Sequence, residues 1–167
     1  RAPVNMNSRS AQIIIRESEK KTRHKPVRRL LEETGLLVQQ IKPCFMMSPL
    51  AVSQYLPADL HFDVVIFDEA SQVLPSDAVN CIYRGGQLIV AGDQKQLPPT
   101  DFFNTGTDEF DSDEEADPDV FDSVLDLAKG AGGLTSLPLN WHYRSRHEDL
   151  ISYSNYRFYN GKLHTFP

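Results

Sequence analysis

Two short apolar runs with a helical pattern between them constrain the fold of this chain more than any other feature. Asp63–Phe67 is a continuous run of mostly β-branched and aromatic residues, and Gln87–Ala91 is a second apolar run. Between them, Pro75–Arg84 has a helical pattern, with Gly85-Gly86 as its stop. This order predicts two parallel strands joined by a right-handed crossover helix. Because the first run is continuously apolar and β-branched, we expect it to be covered on both faces, as in a parallel sheet.

Polar residues follow each predicted strand. Asp68 and Glu69 come directly after the first, and Gly92 and Asp93 directly after the second. A carboxylate at such a strand end suits Mg²⁺, which prefers oxygen ligands, and a neighbouring carboxylate can polarise a water for attack on a phosphoryl group. Taken singly, the acidic pair would equally suit the first turn of a helix. The two motifs in this order favour one rim of a nucleotide-hydrolysing site.

Two further features suit the same chemistry. Gln96 is a neutral amide that can donate to a phosphate oxygen and accept from a water, while Pro98 and Pro99 stiffen its loop. Later in the chain, either Arg144 or Arg146 offers a planar, permanently charged group for a γ-phosphate. Each feature also has a plain interpretation, as a polar strand-to-helix turn and as an exposed basic turn.

The phosphate-binding loop of such sites is absent from this sequence. The pattern Gly-x-x-x-x-Gly-Lys-Ser/Thr does not occur, and the single Gly-Lys pair, at Gly161, is followed by Leu163. Hence neither the triphosphate cradle nor its hydroxyl ligand for Mg²⁺ is present within these residues.

Other elements are predicted from shorter signals. Strands are expected at Ile13–Ile15, Cys44–Met47 and Leu134–Leu139. Helices are expected at Val27–Thr34, Pro49–Tyr55, Val120–Ala128 and residues 146–159. Gly35 suits a stop for the first of these helices, and Leu36–Val38 either extends that helix or begins a link. Residues 105–119 are acidic and poor in apolar residues, and are expected to be an insertion with little order of its own.

Charge is distributed unevenly along the chain. Nine acidic residues lie within residues 108–122, whereas residues 1–29 hold nine basic residues and two acidic ones. The net charge of −6 therefore does not argue against a nucleic-acid partner. No run approaches the ~20 apolar residues of a membrane span, so a membrane partner is not expected. Two cysteines far apart in sequence favour a reducing, cytoplasmic location.

The three motifs together resemble those of superfamily 1 helicases, best those of the upframeshift-like branch. Asp68-Glu69-Ala70-Ser71 is similar to motif II. Gly92-Asp93-x-x-Gln96-Leu97-Pro98-Pro99 is similar to motif III, and Tyr143-Arg144 followed by Phe158-Tyr159-Asn160-Gly161-Lys162-Leu163 is similar to motif IV. The similarity covers residues 44–167. Residues 141–167 also resemble large bacterial proteins that join such a motor to a nuclease-like tail.

The resemblance implies roles for residues at matching positions. Asp68 would bind Mg²⁺ and Glu69 would activate the attacking water, while Gln96 and Arg144 would contact the γ-phosphate. Nucleotide binding is also implied for Gly92 and Asp93, and proximity to nucleic acid for Ser48, Pro49, Pro98 and Pro99.

The implied fold is α/β: a partial RecA-like (P-loop NTPase) domain with a parallel sheet, lacking the phosphate-loop half. Residues 1–25 would be a basic N-terminal segment, either mobile or packed on parts outside the chain. Residues 26–143 would form the second half of the first RecA-like domain, and residues 144–167 the start of the second. Because the sequence begins with Arg1 rather than Met, the simplest expectation is a piece of a longer polypeptide.

The expected function follows from that fold. The parent protein would use ATP and Mg²⁺ to move on single-stranded DNA or RNA, with its remaining helicase domains as partners, and the fragment alone would be inactive. One alternative is a non-enzymatic helicase-like module that binds nucleic acid or protein. A second is a metal-dependent phosphohydrolase using Asp68, Glu69 and Asp93, which needs further ligands at strand ends.

Overall fold

The computed structural model describes residue 5 and residues 7–99 and 121–165, so the predicted insertion at 105–119 lies outside the described part of the chain. The helices are α1 (Arg9–Ser18), α2 (Val27–Ile41), α3 (Pro49–Tyr55), α4 (Pro75–Ile82), α5 (Val124–Gly130) and α6 (Asp149–Tyr159), with a 3-10 turn at Ala70–Gln72. The strands are β1 (Phe62–Phe67), β2 (Gly85–Val90), β3 (Trp141–His142) and β4 (His164–Thr165).

The predicted strand–helix–strand unit is confirmed. β1 and β2 pair in parallel, with Phe62 opposite Gly85 and Phe67 opposite Val90, and α4 makes the crossover between them. The core lies on the inner face of these two strands. It contains Phe67, Ala70, Ala78, Cys81, Val124 and Leu125, and Val65, Leu88 and Val90 pack against it.

The other face of this sheet is open among the described residues. Val64, Ile66 and Ile89 point away from the core and are 39%, 64% and 45% exposed. The expectation that both faces would be covered is therefore wrong for this part of the chain. An apolar run fits a strand that is buried on both faces, but covering the second face depends on which other segments pack there.

The end of α4 is fixed by a buried arginine. Arg84 is 6% exposed, and its guanidinium donates to the carbonyl oxygens of Leu56 and Leu60 at 3.3 Å each and to that of Pro57. These bonds hold the chain after α3 against the start of β2. Gly85 and Gly86, predicted as a helix stop, instead form the first residues of β2. At Gly85 a side chain would approach the Val65 Cγ2 atom to 2.8 Å, so glycine is required for the sheet to close there.

Two helices precede this unit: the first corrects a predicted strand, and the second decides between the two outcomes left open after Gly35. Ile13–Ile15 lies within α1 rather than in a strand, because the Ser8 hydroxyl caps the helix and Ala11 is buried against α2. α2 continues through Gly35 to Ile41. Burial of Leu37 on the following turn outweighs the cost of about 1 kcal/mol for glycine inside a helix.

Two other predicted strands are not formed, although both segments are described. Neither Cys44–Met47 nor Leu134–Leu139 has regular secondary structure, and neither pairs with a described strand. Leu137 and Leu139 are 80% and 87% exposed. Propensity favours an extended backbone in such runs, but a strand forms only where another strand lies beside it.

The C-terminal part is organised around α6. Helix α6 begins at Asp149 rather than at residue 146, and α5 begins at Val124, after the Ser123 cap. β3 and β4 pair in parallel on either side of α6 in sequence. Asn155 joins α6 to the chain before β4, since its side chain donates to the Leu163 carbonyl and accepts from the Leu163 amide, both at 3.0 Å. None of the described helices is both long enough and apolar enough to span a bilayer.

Candidate nucleotide-hydrolysis site

Parallel pairing brings the two acidic motifs to the same edge of the sheet. The Ala91 amide donates to the Phe67 carbonyl at 2.8 Å, which extends the ladder one residue beyond β2. The Ala70 amide then donates back to the Ala91 carbonyl at 2.9 Å. Asp68-Glu69 and Gly92-Asp93 therefore leave the sheet side by side, and two backbone hydrogen bonds hold the segments together.

Gly92 permits this close approach. A side chain at this position would come within 3.0 Å of the Ser71 amide nitrogen, 3.1 Å of the Ala70 nitrogen and 3.2 Å of the Leu125 Cδ2 atom. These distances are shorter than the ~3.5–4.0 Å of ordinary contacts. Glycine is needed here because the chain after β2 passes directly over the 3-10 turn, and not for an unusual backbone angle.

The acidic pair has an unusual backbone. Glu69 has φ 54° and ψ 40°, in the left-handed region that non-glycine residues rarely adopt. The Asp68 carboxylate accepts the Glu69 amide at 3.1 Å, which stabilises the turn. Both residues are exposed, and the Glu69 carboxylate has no hydrogen-bond partner among the described residues. Strained backbone of this kind is concentrated at functional sites, and here it presents a free carboxylate beside a strand end.

A single carboxylate such as Asp68 is compatible with Mg²⁺, which often takes one or two protein ligands and completes its shell with water and phosphate oxygens. No group of three or more His, Cys, Asp or Glu side chains suited to a metal occurs among the residues that the structure describes. The alternative of a metal-dependent phosphohydrolase thus gains no additional ligands for Asp68, Glu69 and Asp93 in this part of the chain.

Asp93 organises the loop after β2. One carboxylate oxygen accepts the Lys95 amide at 2.9 Å, and the other accepts the Gln96 side-chain amide at 3.2 Å and the Tyr159 hydroxyl at 2.5 Å. Partial burial by itself raises the pKa of Asp93, but these hydrogen bonds outweigh it, so the pKa lies below its usual value. The hydrogen bond to Asp93 raises the pKa of Tyr159 to about 12. At neutral pH the pair is a carboxylate and a protonated phenol.

Three side chains that sequence reasoning missed extend this loop onto α5. Gln94 donates to the Asp126 carboxylate and accepts from the Lys129 ammonium. Hydrogen bonds from Ser123 and then Gln94 hold the pKa of Asp126 below its usual value. Asp126 and Lys129 lie three residues apart on a short helix, and that spacing does not predict a contact with Gln94. The contact depends on the path of the loop after β2.

Ser71 belongs to the motif II resemblance, but no role was predicted for it. It is 4% exposed, lies in the 3-10 turn directly after the acidic pair, and its hydroxyl has no hydrogen-bond partner among the described residues. A buried hydroxyl without a partner costs about 1–3 kcal/mol. It therefore offers a donor and an acceptor that something outside the described residues can satisfy.

The remaining predicted residues lie apart from this cluster. Arg144 is exposed between β3 and α6, and no hydrogen bond or ion pair joins it to another residue in the described ranges. Ser48 caps α3 by accepting the Ala51 amide at 3.3 Å, with Pro49 at the first helical position. Pro98 is exposed and Pro99 is half-buried at the end of the motif III loop. The structure thus joins Asp68, Glu69, Gly92, Asp93 and Gln96 at one sheet edge. The functional roles predicted for all these residues stay predictions.

Comparison with known proteins agrees with this geometry. Residues 47–102, which include β1, β2 and both acidic motifs, match an AAA domain family. The chain is 40% identical over 108 residues to the uncharacterized ATP-dependent helicase MG140 homolog of Mycoplasma pneumoniae, covering 61% of this chain and 10% of that protein. It is 34% identical over 102 residues to the uncharacterized ATP-dependent helicase MJ0104 of Methanocaldococcus jannaschii, covering 61% and 13%.

A third relative is the DNA-binding protein SMUBP-2 of Rattus norvegicus, 31% identical over 113 residues, covering 67% of this chain and 10% of that protein. The chain spans about a tenth of the length of these curated relatives. The predicted resemblance to helicases is confirmed, and so is the α/β class with a parallel sheet, for which the AAA match implies a P-loop NTPase-like fold.

Proposed function

We propose that this chain, which carries part of an AAA domain and is similar in sequence to ATP-dependent helicases, forms one wall of the ATP site of a superfamily 1 helicase or translocase. The observation that carries the proposal is the pair of acidic turns held together at the carboxyl edge of two parallel strands. Open α/β sheets bind their ligands outside this edge. The whole protein would couple ATP hydrolysis to movement on single-stranded DNA or RNA.

Each residue of the cluster has a proposed task. Asp68 would hold Mg²⁺, which when bound offsets negative charge on the phosphates. Glu69, whose carboxylate is exposed and unpaired among the described residues, would orient and deprotonate the attacking water. Gln96 donates one side-chain N–H to Asp93 at the same sheet edge. Its second N–H would donate to a γ-phosphate oxygen.

Arg144 is proposed to complete the site from the other side. Its side chain is exposed and unpaired among the described residues, so it is available for a phosphate. A guanidinium in such a position stabilises charge that develops in the transition state. The phosphate loop that this sequence lacks would come from the rest of the parent chain, and without it the 167 residues alone are expected to hydrolyse no ATP at a useful rate.

The test is ATP turnover by the complete parent protein, with and without single-stranded nucleic acid. Glu69→Gln should lower the stimulated turnover at least about 100-fold, because general-base catalysis contributes that much or more. Binding of a non-hydrolysable ATP analogue should persist. The matched control is Glu19→Gln, which neutralises an exposed glutamate on the C-cap of α1 and should leave turnover unchanged. Full turnover in Glu69→Gln would refute the catalytic assignment.

A second comparison separates the two candidate arginines. Arg144→Ala should lower turnover without loss of folded protein, whereas Arg146→Ala should have a smaller effect. The reverse order would transfer the role to Arg146. The other candidate function is a helicase-like module that binds nucleic acid or protein without hydrolysis. A complete protein that binds single strands but shows no turnover would establish that alternative.

A further inference from the structure

A hydrogen bond across 66 residues of sequence joins the motif III loop to α6. The Tyr159 hydroxyl, at the last residue of α6, donates to the Asp93 carboxylate at 2.5 Å. Tyr159 is partly buried at this contact, whereas Tyr153 and Tyr156 on the same helix are 73% and 82% exposed. Of the three tyrosines of α6, Tyr159 is thus the one that reaches the candidate site.

From this contact we propose that Tyr159 is a positioning residue, which fixes the Asp93–Gln96 loop for catalysis and ties it to the part of the chain that carries Arg144. The proposal rests on the proposed ATPase function. Nothing in the motif pattern required it, because the tyrosine and the aspartate belong to different motifs.

The first step concerns Gln96. Its side-chain amide and the Tyr159 hydroxyl donate to the same oxygen of Asp93, at 3.2 and 2.5 Å, while the Lys95 amide donates to the other oxygen at 2.9 Å. Removing the phenol donor leaves Asp93 with two hydrogen bonds, both from its own loop. The carboxylate then loses the anchor to a separate element, and the orientation of Gln96 becomes less defined.

The second step concerns the rigidity of the anchor. Asn160 is the C-cap of α6: it has φ 54° and donates its amide to the Asn155 carbonyl. The Asn155 side chain makes two hydrogen bonds to Leu163. A helix end fixed in this way does not fray freely. The hydrogen bonds at the end of α6 therefore fix the position of Tyr159 independently of its contact with Asp93.

The third step connects the anchor to Arg144. The His164 amide in β4 donates to the Asn140 carbonyl at 2.7 Å, next to β3. His142 in β3 contacts Ser145 through its ring nitrogen, at 2.7 Å to the hydroxyl and 3.2 Å to the amide. These bonds close the turn that contains Arg144. A continuous set of hydrogen bonds and one strand pair thus runs from Asp93 through α6 to that turn, so Gln96 and Arg144 share one support.

The Tyr159 hydroxyl remains a hydrogen-bond donor to Asp93 at physiological pH. Because hydrogen bonding to Asp93 raises the pKa of Tyr159 to about 12, the hydroxyl stays protonated across the physiological range. The contact is therefore constant with pH under working conditions and does not act as a proton switch.

The test compares Tyr159→Phe with Tyr153→Phe, a matched control that removes a hydroxyl with no partner in the described residues from the same helix. In the complete protein, amide hydrogen exchange at Lys95 and Gln96 should be about tenfold faster in Tyr159→Phe only, as expected for a lost hydrogen bond to a charged acceptor. In the complete protein, kcat for ATP should fall about tenfold with KM for ATP within about twofold, and Tyr153→Phe should match wild type.

Equal exchange rates in the two variants would overturn the proposal, as would faster exchange with an unchanged kcat. If exchange accelerates in Tyr159→Phe but the wild-type complete protein has no ATP turnover, the proposed function fails while the role of Tyr159 in ordering the loop stands. Should Tyr159→Phe fail to fold, ¹⁹F NMR of the 3-fluorotyrosine-labelled chain tests the same contact. The Tyr159 resonance should shift in Asp93→Asn, and an unshifted resonance would refute the contact.

Discussion

Replacing Gly92 with alanine is expected to weaken the junction on which the candidate site is built. The added methyl group would meet two backbone nitrogens and a core side chain at 3.0, 3.1 and 3.2 Å. Ordinary contact needs ~3.5–4.0 Å, so the two segments must separate by about half an ångström. The Ala70 nitrogen cannot move away freely, because its hydrogen bond to the Ala91 carbonyl is 2.9 Å long and would stretch.

The cost can be assembled from these contacts. Overpacking of a close-packed position costs about 1–3 kcal/mol. Weakening the hydrogen bond between Ala70 and Ala91 adds up to about 1 kcal/mol. The alanine also reduces the entropy of the unfolded chain, which returns about 0.4–1 kcal/mol. Gly92→Ala should therefore be less stable than wild type by about 2 kcal/mol.

Gly133→Ala is the matched control, because the nearest atom to an added methyl there is 4.0 Å away. Alanine at this position reduces the entropy of the unfolded chain to the same extent, but its methyl group meets no other atom at short distance. Because the unfolded-state effect cancels between the two variants, they should differ by about 2.6 kcal/mol. Urea unfolding monitored by circular dichroism should place the midpoint of Gly92→Ala about 1.3 M below that of Gly133→Ala, for an m-value of about 2 kcal/mol/M. Amide exchange at Ala70 should accelerate in Gly92→Ala alone. A difference in unfolding free energy under about 0.5 kcal/mol would refute the reasoning that glycine is required by space.

Two further predictions concern contacts that hold the unit together. Arg84→Met removes a buried donor from three carbonyl oxygens and should lower the free energy of unfolding by about 2–4 kcal/mol in the same urea experiment; wild-type stability would show that these carbonyls find other partners. The pKa of Tyr159 is about 12 in the fold against about 10 unfolded, so its contribution to stability is complete below pH ~10 and is lost as the pH rises through about 12. Wild type should thus lose more stability than Tyr159→Phe across that range in alkaline unfolding curves, and parallel curves would contradict the bond to Asp93.

Much of the candidate site followed from local pattern. The order of strand, helix and strand, together with the positions of Asp68 and Gly92, was enough to predict that two acidic motifs share a sheet edge. That inference works because the carboxyl ends of parallel strands meet at one edge whatever the rest of the fold does. It predicted neither the left-handed backbone of Glu69 nor the close passage of the chain at Gly92 over the 3-10 turn.

The wrong predictions share a cause. Ile13–Ile15 and Leu134–Leu139 have strand propensity, yet one lies in a capped helix packed on α2 and the other has no strand beside it in the described structure. Propensity acts on single residues, whereas pairing requires a second segment whose position local sequence does not specify. Between the two outcomes left open after Gly35, a link or a longer helix, the structure has the longer helix, since burial of Leu37 outweighs the preference of glycine.

The sequence by itself determined the parallel strand pair, the acidic turns that follow it and the family that these motifs resemble, because each depends on residues that are neighbours in the chain. The tertiary structure alone decided how the motif III loop is anchored. Tyr159 reaches Asp93, and Gln94 reaches Asp126, across 66 and 32 residues. Contacts at such separations arise from the packing of whole elements, and no local pattern encodes which side chains will meet.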